Sequence, residues 1–173
     1  MLKLLDYLPS VPDFPKPGVV FRDICPLLAD ATAFAEAVTA MSELVKGWSF
    51  EQIAGIESRG LIFGAALATR LRRGLVLVRK PGKLPLQILR ENYALEYGQD
   101  ALEIQPRSLR PSTAVLLVDD VIATGGTLLA AARLIEKSGC RVSGALALLS
   151  LDELGGRQLL RAAGYPVTAA LRA

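Results

Sequence analysis

The sequence predicts an α/β protein with a mostly parallel, twisted sheet flanked by helices. Short apolar runs recur along the chain, they are continuous rather than alternating, and segments with helical patterning separate them. A strand that is apolar at every position is buried on both faces, as happens in parallel sheets covered by helices. At 173 residues, 51% hydrophobic and 21% charged, the chain suits one domain, 1–173, around one core.

Taken in order, Asp30 is a reasonable N-cap for an amphipathic helix over Ala31–Lys46. Ile53–Ile56 reads as a short buried strand, followed by a helix from about Gly60 to Arg72. Arg70, Arg72 and Arg73 fall at the end of that helix, where cations offset its dipole. Leu75–Arg79 is the next strand. The segment Lys80–Pro111 then breaks the rhythm: it is long and polar, and reads as a loop or small β excursion of the kind that serves as a lid. Ala114–Val118 is a third strand, and a helix from about Gly126 to Ser138 is stopped by Gly139. Val142–Leu149 is a fourth strand, Glu153–Ala163 a helix and Tyr165–Ala170 a last strand.

Composition excludes several classes of function. The chain has no histidine, so neither His-based acid–base chemistry nor His-ligated metal is available. Mean hydropathy is +0.36, yet the most apolar stretches, Gly60–Ala68 and Val142–Leu149, fall short of the roughly 20 residues that span a bilayer. Met1–Ser10 carries Asp6 inside its apolar part and lacks a small-residue cleavage site, so no signal peptide is expected. Cys25 and Cys140 lack metal-ligand spacing and read as reduced thiols in a cytoplasmic protein. Net charge is only +3, with no basic stripe, so neither nucleic acid nor membrane is an expected partner.

The strongest motif runs from Val115 to Thr127, VLLVDDVIATGGT. Its apolar run places Asp119 and Asp120 at the end of a buried strand, and a loop with two glycines and two threonines opens a helix. Such glycines let backbone amides curl around an anion, and the helix N-terminus adds roughly half a positive charge. The carboxylates lie too near to bind phosphate themselves. They suit hydrogen bonds from sugar hydroxyls, or a Mg²⁺ shell. A ligand with a phosphate beside a diol is a ribose 5-phosphate. Neither a Walker A loop nor a G-x-G-x-x-G fingerprint occurs.

Val115–Thr127 resembles the phosphoribosyl pyrophosphate signature of the type I phosphoribosyltransferase family. The resemblance implies that fold, with a flexible loop over the active site. It further implies that Ala123, Thr124, Gly125, Gly126 and Thr127 hold a 5-phosphate, with Asp119 and Asp120 facing the ribose hydroxyls. Further patches resemble the adenine-specific branch: Phe14–Ile24, the Glu57-Ser58-Arg59-Gly60 turn, Arg79–Pro85 and Leu95–Gly98. The activity so implied transfers phosphoribosyl from phosphoribosyl pyrophosphate (PRPP) to adenine, giving AMP and pyrophosphate in purine salvage.

Each patch also has a physical reading. Phe21 offers a face on which a purine stacks, and the resemblance implies that Val20 and Arg22 present backbone groups to its edge within a base-recognition segment, 1–30. A carbonyl there accepts from the exocyclic amine of adenine, which a 6-oxopurine lacks. Ser58 and Arg59 make an anion site for pyrophosphate, with Arg59 able to bond it bidentately; the family pattern implies a cis or strained Glu57–Ser58 bond. Lys80 and Lys83 neutralise the leaving group, with Arg79 nearby. Glu96 is implied as the group that takes the base proton or stabilises charge on the ribose, with Tyr97 packing beside phosphates or sugar. Glu91, Asp100 and Glu103 lie close enough in sequence to be mistaken for it. Within a mobile loop spanning about 80–98, Lys80–Asn92 closes over the site. Mg²⁺ is expected to enter with PRPP, near Asp119 and Asp120, rather than in a protein cage. Cys25 departs from the small hydroxyl residue expected there, and Leu84–Arg90 matches the family weakly. A homodimer is expected by analogy. Two rivals are a phosphoribosyltransferase for hypoxanthine or xanthine, and a PRPP-sensing regulator. The second needs a DNA-binding module or a basic stripe, and the chain offers neither.

Overall fold

The computed structural model describes residues 3–94 and 99–173. The chain divides into two compact units, residues 1–40 and 41–173.

In the first unit, β1 (Ser10–Pro12) pairs antiparallel with β2 (Val20–Arg22), placing Val11 opposite Phe21. The connection turns through Asp13 at φ 57° and Gly18 at φ 84°, and the Gly18 N–H donates to Asp13 Oδ1 at 2.8 Å. Phe14 meets Phe21 edge-on, with ring centroids 5.0 Å apart. After the short α1 (Cys25–Ala29), Asp30 caps α2 (Ala31–Leu44) as expected: its Oδ1 accepts from the Thr32 and Ala33 N–H groups at 2.9 and 2.8 Å.

The second unit carries the sheet. Its elements are β3 (Gln52–Ile56), α3 (Gly60–Leu71), β4 (Gly74–Val78), β5 (Leu89–Ala94), β6 (Gln99–Ile104), β7 (Ala114–Ile122), α4 (Gly126–Lys137), β8 (Arg141–Ser150), α5 (Gly156–Ala162) and β9 (Val167–Arg172). Five strands pair in parallel in the order β4-β3-β7-β8-β9. Central β7 has Val115, Leu116, Leu117 and Val118 fully buried, as its unbroken apolar run requires. Each such side chain contributes roughly 1.5–3 kcal/mol by leaving water. Helix α3 lies close against β3, because a Cβ at Gly64 would come within 3.0 Å of Gly55 Cα.

Four boundaries differ from expectation. Strand β7 runs to Ile122 rather than Val118, because its ladder with β8 continues through Asp119↔Ala147 and Ile122↔Ser150. Asp119 and Asp120 therefore lie within the strand, near its end, and Asp119 pairs with Ala147. The break in Lys80–Pro111 is the small β excursion expected, a β5–β6 hairpin, whose first strand begins at Leu89, inside the stretch Lys80–Asn92 expected to close. The expected helix Glu153–Ala163 splits into a 3-10 turn (Asp152–Leu154) and α5, separated by Gly155 at φ 73°. The last strand starts at Val167 instead of Tyr165: Pro166 lacks an N–H, and its carbonyl takes the Ala145 N–H at 2.8 Å.

Candidate active site

The phosphate-type loop lies where β7 gives way to α4. Gly125 caps the helix in the left-handed region, φ 84° and ψ −5°, which a side chain would strain. The first turn of α4 leaves N–H groups without intrahelical acceptors and concentrates positive potential there. A cavity of about 70 Å³ sits at this point, lined by Asp119, Ala123, Thr124, Gly125 and Thr127 among others. Its size suits one compact polar group rather than a whole nucleotide.

Two carboxylates stand beside it. Asp120 is 5% exposed, and its Oδ2 lies 2.9 Å from Arg59 Nε. That oxygen accepts no hydrogen bond among the described residues, so the contact is an ion pair with the N–H aimed elsewhere. Asp119 is half-buried, and its Oδ1 accepts the Asp120 N–H at 2.9 Å. Burial, then the adjacent Asp120 charge, pushes the Asp119 carboxyl well above the usual range, while Arg59 pulls the other way.

Gly60 brings the turn after β3 to this spot. A Cβ there would lie 2.7 Å from the Val118 carbonyl oxygen and 2.8 Å from Asp119 Oδ1. Only glycine lets α3 begin against the end of β7. The Glu57–Ser58 peptide in that turn is cis, matching expectation.

The basic cluster is anchored rather than loose. Arg79 donates twice to Glu57, at 3.0 and 3.2 Å, and the Lys80 N–H donates to the same carboxylate at 2.7 Å. The Arg79 bonds, opposed by burial and aided by the Lys80 N–H, hold Glu57 below its usual pKa; the Lys83 charge acts in the same direction. Lys80 Nζ bonds Tyr93 Oη at 2.8 Å and the Asp100 carboxylate. Burial alone would lower the Lys80 pKa, but Asp100 and Tyr93 more than offset it and hold it raised. Glu103, 5% exposed, accepts the Gly82 N–H at 3.0 Å and so fixes the turn carrying Lys83.

Ser58, Arg59, Lys80, Lys83, Asp119, Asp120 and Ala123–Thr127 thus gather at the carboxyl ends of β3, β4 and β7, where parallel sheets place ligands. Val20, Phe21 and Arg22 form β2 of the first unit. Glu96 and Tyr97 lie outside the described residues. The three carboxylates that could be mistaken for Glu96 have structural partners: Glu91 binds Lys137, Asp100 binds Lys80 and Glu103 holds Gly82. Sequence reasoning missed the anchoring roles of Glu57, Tyr93, Asp100 and Glu103, whose partners are distant in sequence. Among the described residues no group of three or more His, Cys, Asp or Glu forms a metal cage. A divalent cation near Asp119 and Asp120 would take most of its ligands from water or a bound substrate, because Asp120 Oδ2 is already paired with Arg59.

A family model described as "Phosphoribosyl transferase domain" matches residues 27–153. The chain is 56% identical over 163 residues to an adenine phosphoribosyltransferase of Polynucleobacter necessarius subsp. necessarius, covering 94% of this chain and 95% of the relative. Among solved structures, adenine phosphoribosyltransferase from Thermoanaerobacter pseudethanolicus superposes with a TM-score of 0.95 at 42% identity, covering 99% of this chain and 98% of that one. The Giardia lamblia enzyme, solved with 9-deazaadenine, gives 0.93 at 33% identity, covering 100% and 99%.

Proposed function

Because the chain belongs to the adenine phosphoribosyltransferase family, it makes AMP and pyrophosphate from adenine and PRPP, and we propose that Ala123–Thr127 hold the 5-phosphate throughout that transfer. The observation that carries this assignment is the opening of α4 at a small cavity beside the Asp119–Asp120 pair. Asp119 and Asp120 take the ribose hydroxyls. Ser58, Arg59, Lys80 and Lys83 draw off the charge of the leaving pyrophosphate. Lys80 serves only after releasing Asp100, and Arg79 acts indirectly, by holding Glu57 and the turn.

Adenine stacks on Phe21, with backbone groups of Val20 and Arg22 reading its edge, so 1–173 works as one catalytic domain with a base-recognition segment at 1–30. As a base nitrogen bonds C1, the C1–pyrophosphate bond breaks, and Glu96 takes the proton or stabilises the ribose charge. The loop around 80–98 excludes water that would hydrolyse the activated sugar. Mg²⁺ carried by PRPP would neutralise diphosphate charge beside Asp119 and Asp120. The enzyme works as a homodimer, a reading that rests on analogy with the family. A cytoplasmic location belongs to the same reading.

The test supplies Mg²⁺, PRPP and one of adenine, hypoxanthine, guanine or xanthine. AMP from adenine alone, abolished by EDTA, is the expected result. A nucleotide from a 6-oxopurine instead would overturn the reading of Val20–Arg22.

A further inference from the structure

Behind the phosphate loop stand two adjacent glycines with different reasons for being glycine. Gly155 adopts φ +73°, and a Cβ on it would meet nothing within 4 Å. Gly156, the first residue of α5, needs no positive φ, yet a Cβ there would lie 2.2 Å from the Ala123 carbonyl oxygen. The same Cβ would lie 2.7 Å from Gly125 N and 2.9 Å from the Thr124 carbonyl carbon. All three atoms belong to the loop. Conversely, a Cβ on Gly125 would lie 2.8 Å from the Gly156 carbonyl oxygen. Two bare backbones are therefore pressed together, and space rather than conformation demands glycine at 156.

Hydrogen bonds hold this contact from behind. The Gly156 N–H donates to the Ala123 carbonyl at 3.0 Å, and the Leu151 N–H to the Ile122 carbonyl at 2.9 Å. Asp152 closes the intervening turn, accepting from Ser150 Oγ at 2.7 Å and pairing with Arg157 and Arg172. Residues 150–157 thus form a clasp on the outer side of the loop whose inner side faces the cavity.

We propose that Gly156 is a positioning residue for the reaction: its bare Cα sets the curvature of Ala123–Gly125, and through it the aim of the amides at the 5-phosphate. The proposal rests on the assignment of Ala123–Thr127 to that phosphate. Gly156 touches no substrate. Its effect belongs to ligands that carry a 5-phosphate, PRPP and AMP, and not to adenine.

The test uses the full chain with Gly156→Ala, Gly155→Ala and Thr127→Ala. KM is measured for PRPP and adenine, AMP affinity by calorimetry, and stability by thermal unfolding. Gly156→Ala is expected to raise the PRPP KM and the AMP Kd at least about tenfold, because small displacements of positioning groups cost that much. The adenine KM at saturating PRPP stays within about twofold, as expected when only one substrate's binding is altered. Gly155→Ala strains the same turn without meeting the loop, so it lowers the melting temperature and leaves the PRPP KM in place. A wild-type PRPP KM in Gly156→Ala, or an equal rise in Gly155→Ala, overturns the proposal. If Gly156→Ala does not fold, Asp152→Asn loosens the clasp from behind; a rise in PRPP KM with adenine KM unchanged supports the proposal, and no rise overturns it. Should Thr127→Ala leave PRPP and AMP binding intact, the phosphate assignment fails and the proposal with it. Weakened binding in Thr127→Ala beside unaltered binding in Gly156→Ala removes the proposal alone.

Discussion

Arg59 Nε lies 2.9 Å from Asp120 Oδ2, so one ion pair ties the turn after β3 to the carboxylate end of β7. The turn assigned to pyrophosphate and the carboxylates assigned to ribose are thereby set relative to each other. Arg59→Lys keeps the charge and loses the planar fork, so kcat/KM for PRPP is expected to fall at least about tenfold. Stability is expected to change by less than about 1 kcal/mol, since the Arg59 side chain is 32% exposed and screened by water. Steady-state kinetics beside urea denaturation separate the two effects.

Asp119 gives the ligand-free enzyme a pH dependence of definite sign. Its folded-state pKa is raised, by burial and then by Asp120. The stability associated with its protonated form is full below the ordinary value near about 3.9 and is lost as pH rises through the raised one. Asp119→Asn cannot ionise. It is expected to be more stable than wild type at neutral and alkaline pH, with the gap closing as the solution is acidified towards pH ~4. Thermal unfolding without ligand measures this; a gap of constant size would contradict the assignment.

Asp152 acts in the opposite sense, with its carboxyl held at about 2 by the Ser150, Arg172 and Arg157 bonds against burial. Its contribution is present above the ordinary carboxylate value and is lost as pH falls towards 2. Asp152→Asn is therefore expected to destabilise at neutral pH, with the difference vanishing in strong acid.

Lys80 is held by Tyr93 and Asp100, although its proposed ligand is pyrophosphate. The carboxylate and the diphosphate then compete for one ammonium. Asp100→Asn is expected to lower the PRPP KM about two- to fivefold, the worth of a partly exposed ion pair. Lys80→Ala is expected to raise it. A rise in both variants would mean that Asp100 holds Lys80 ready for the ligand instead of withholding it.

Gly60→Ala forces a methyl group into the Val118 carbonyl and the Asp119 carboxylate. A cost of about 1–3 kcal/mol is expected from such overpacking, together with loss of PRPP binding. Urea midpoints and PRPP titration check the two effects.

The β7–loop–α4 unit was legible because its signals are contiguous: an apolar run, two aspartates, then glycines and threonines. The β5–β6 hairpin was legible only as a small β excursion or loop, without its strand positions. Its strands mix buried Tyr93, Leu102 and Ile104 with polar residues, and buried Glu103 is explained by Gly82, distant in sequence. Arg79 read as one more cation near the leaving group, whereas its charge is committed to Glu57, 22 residues away. The glycine pair at 155–156 is visible in sequence, but only packing reveals which of them is there for space.

The assignment of the phosphate loop is tested most directly by a crystal structure of the enzyme with AMP. The 5-phosphate is expected in the cavity at Ala123–Thr127, bonded by the amides that open α4, with the ribose hydroxyls on Asp119 and Asp120. A phosphate seated instead on Lys80 and Lys83, with the α4 amides facing solvent, would contradict it.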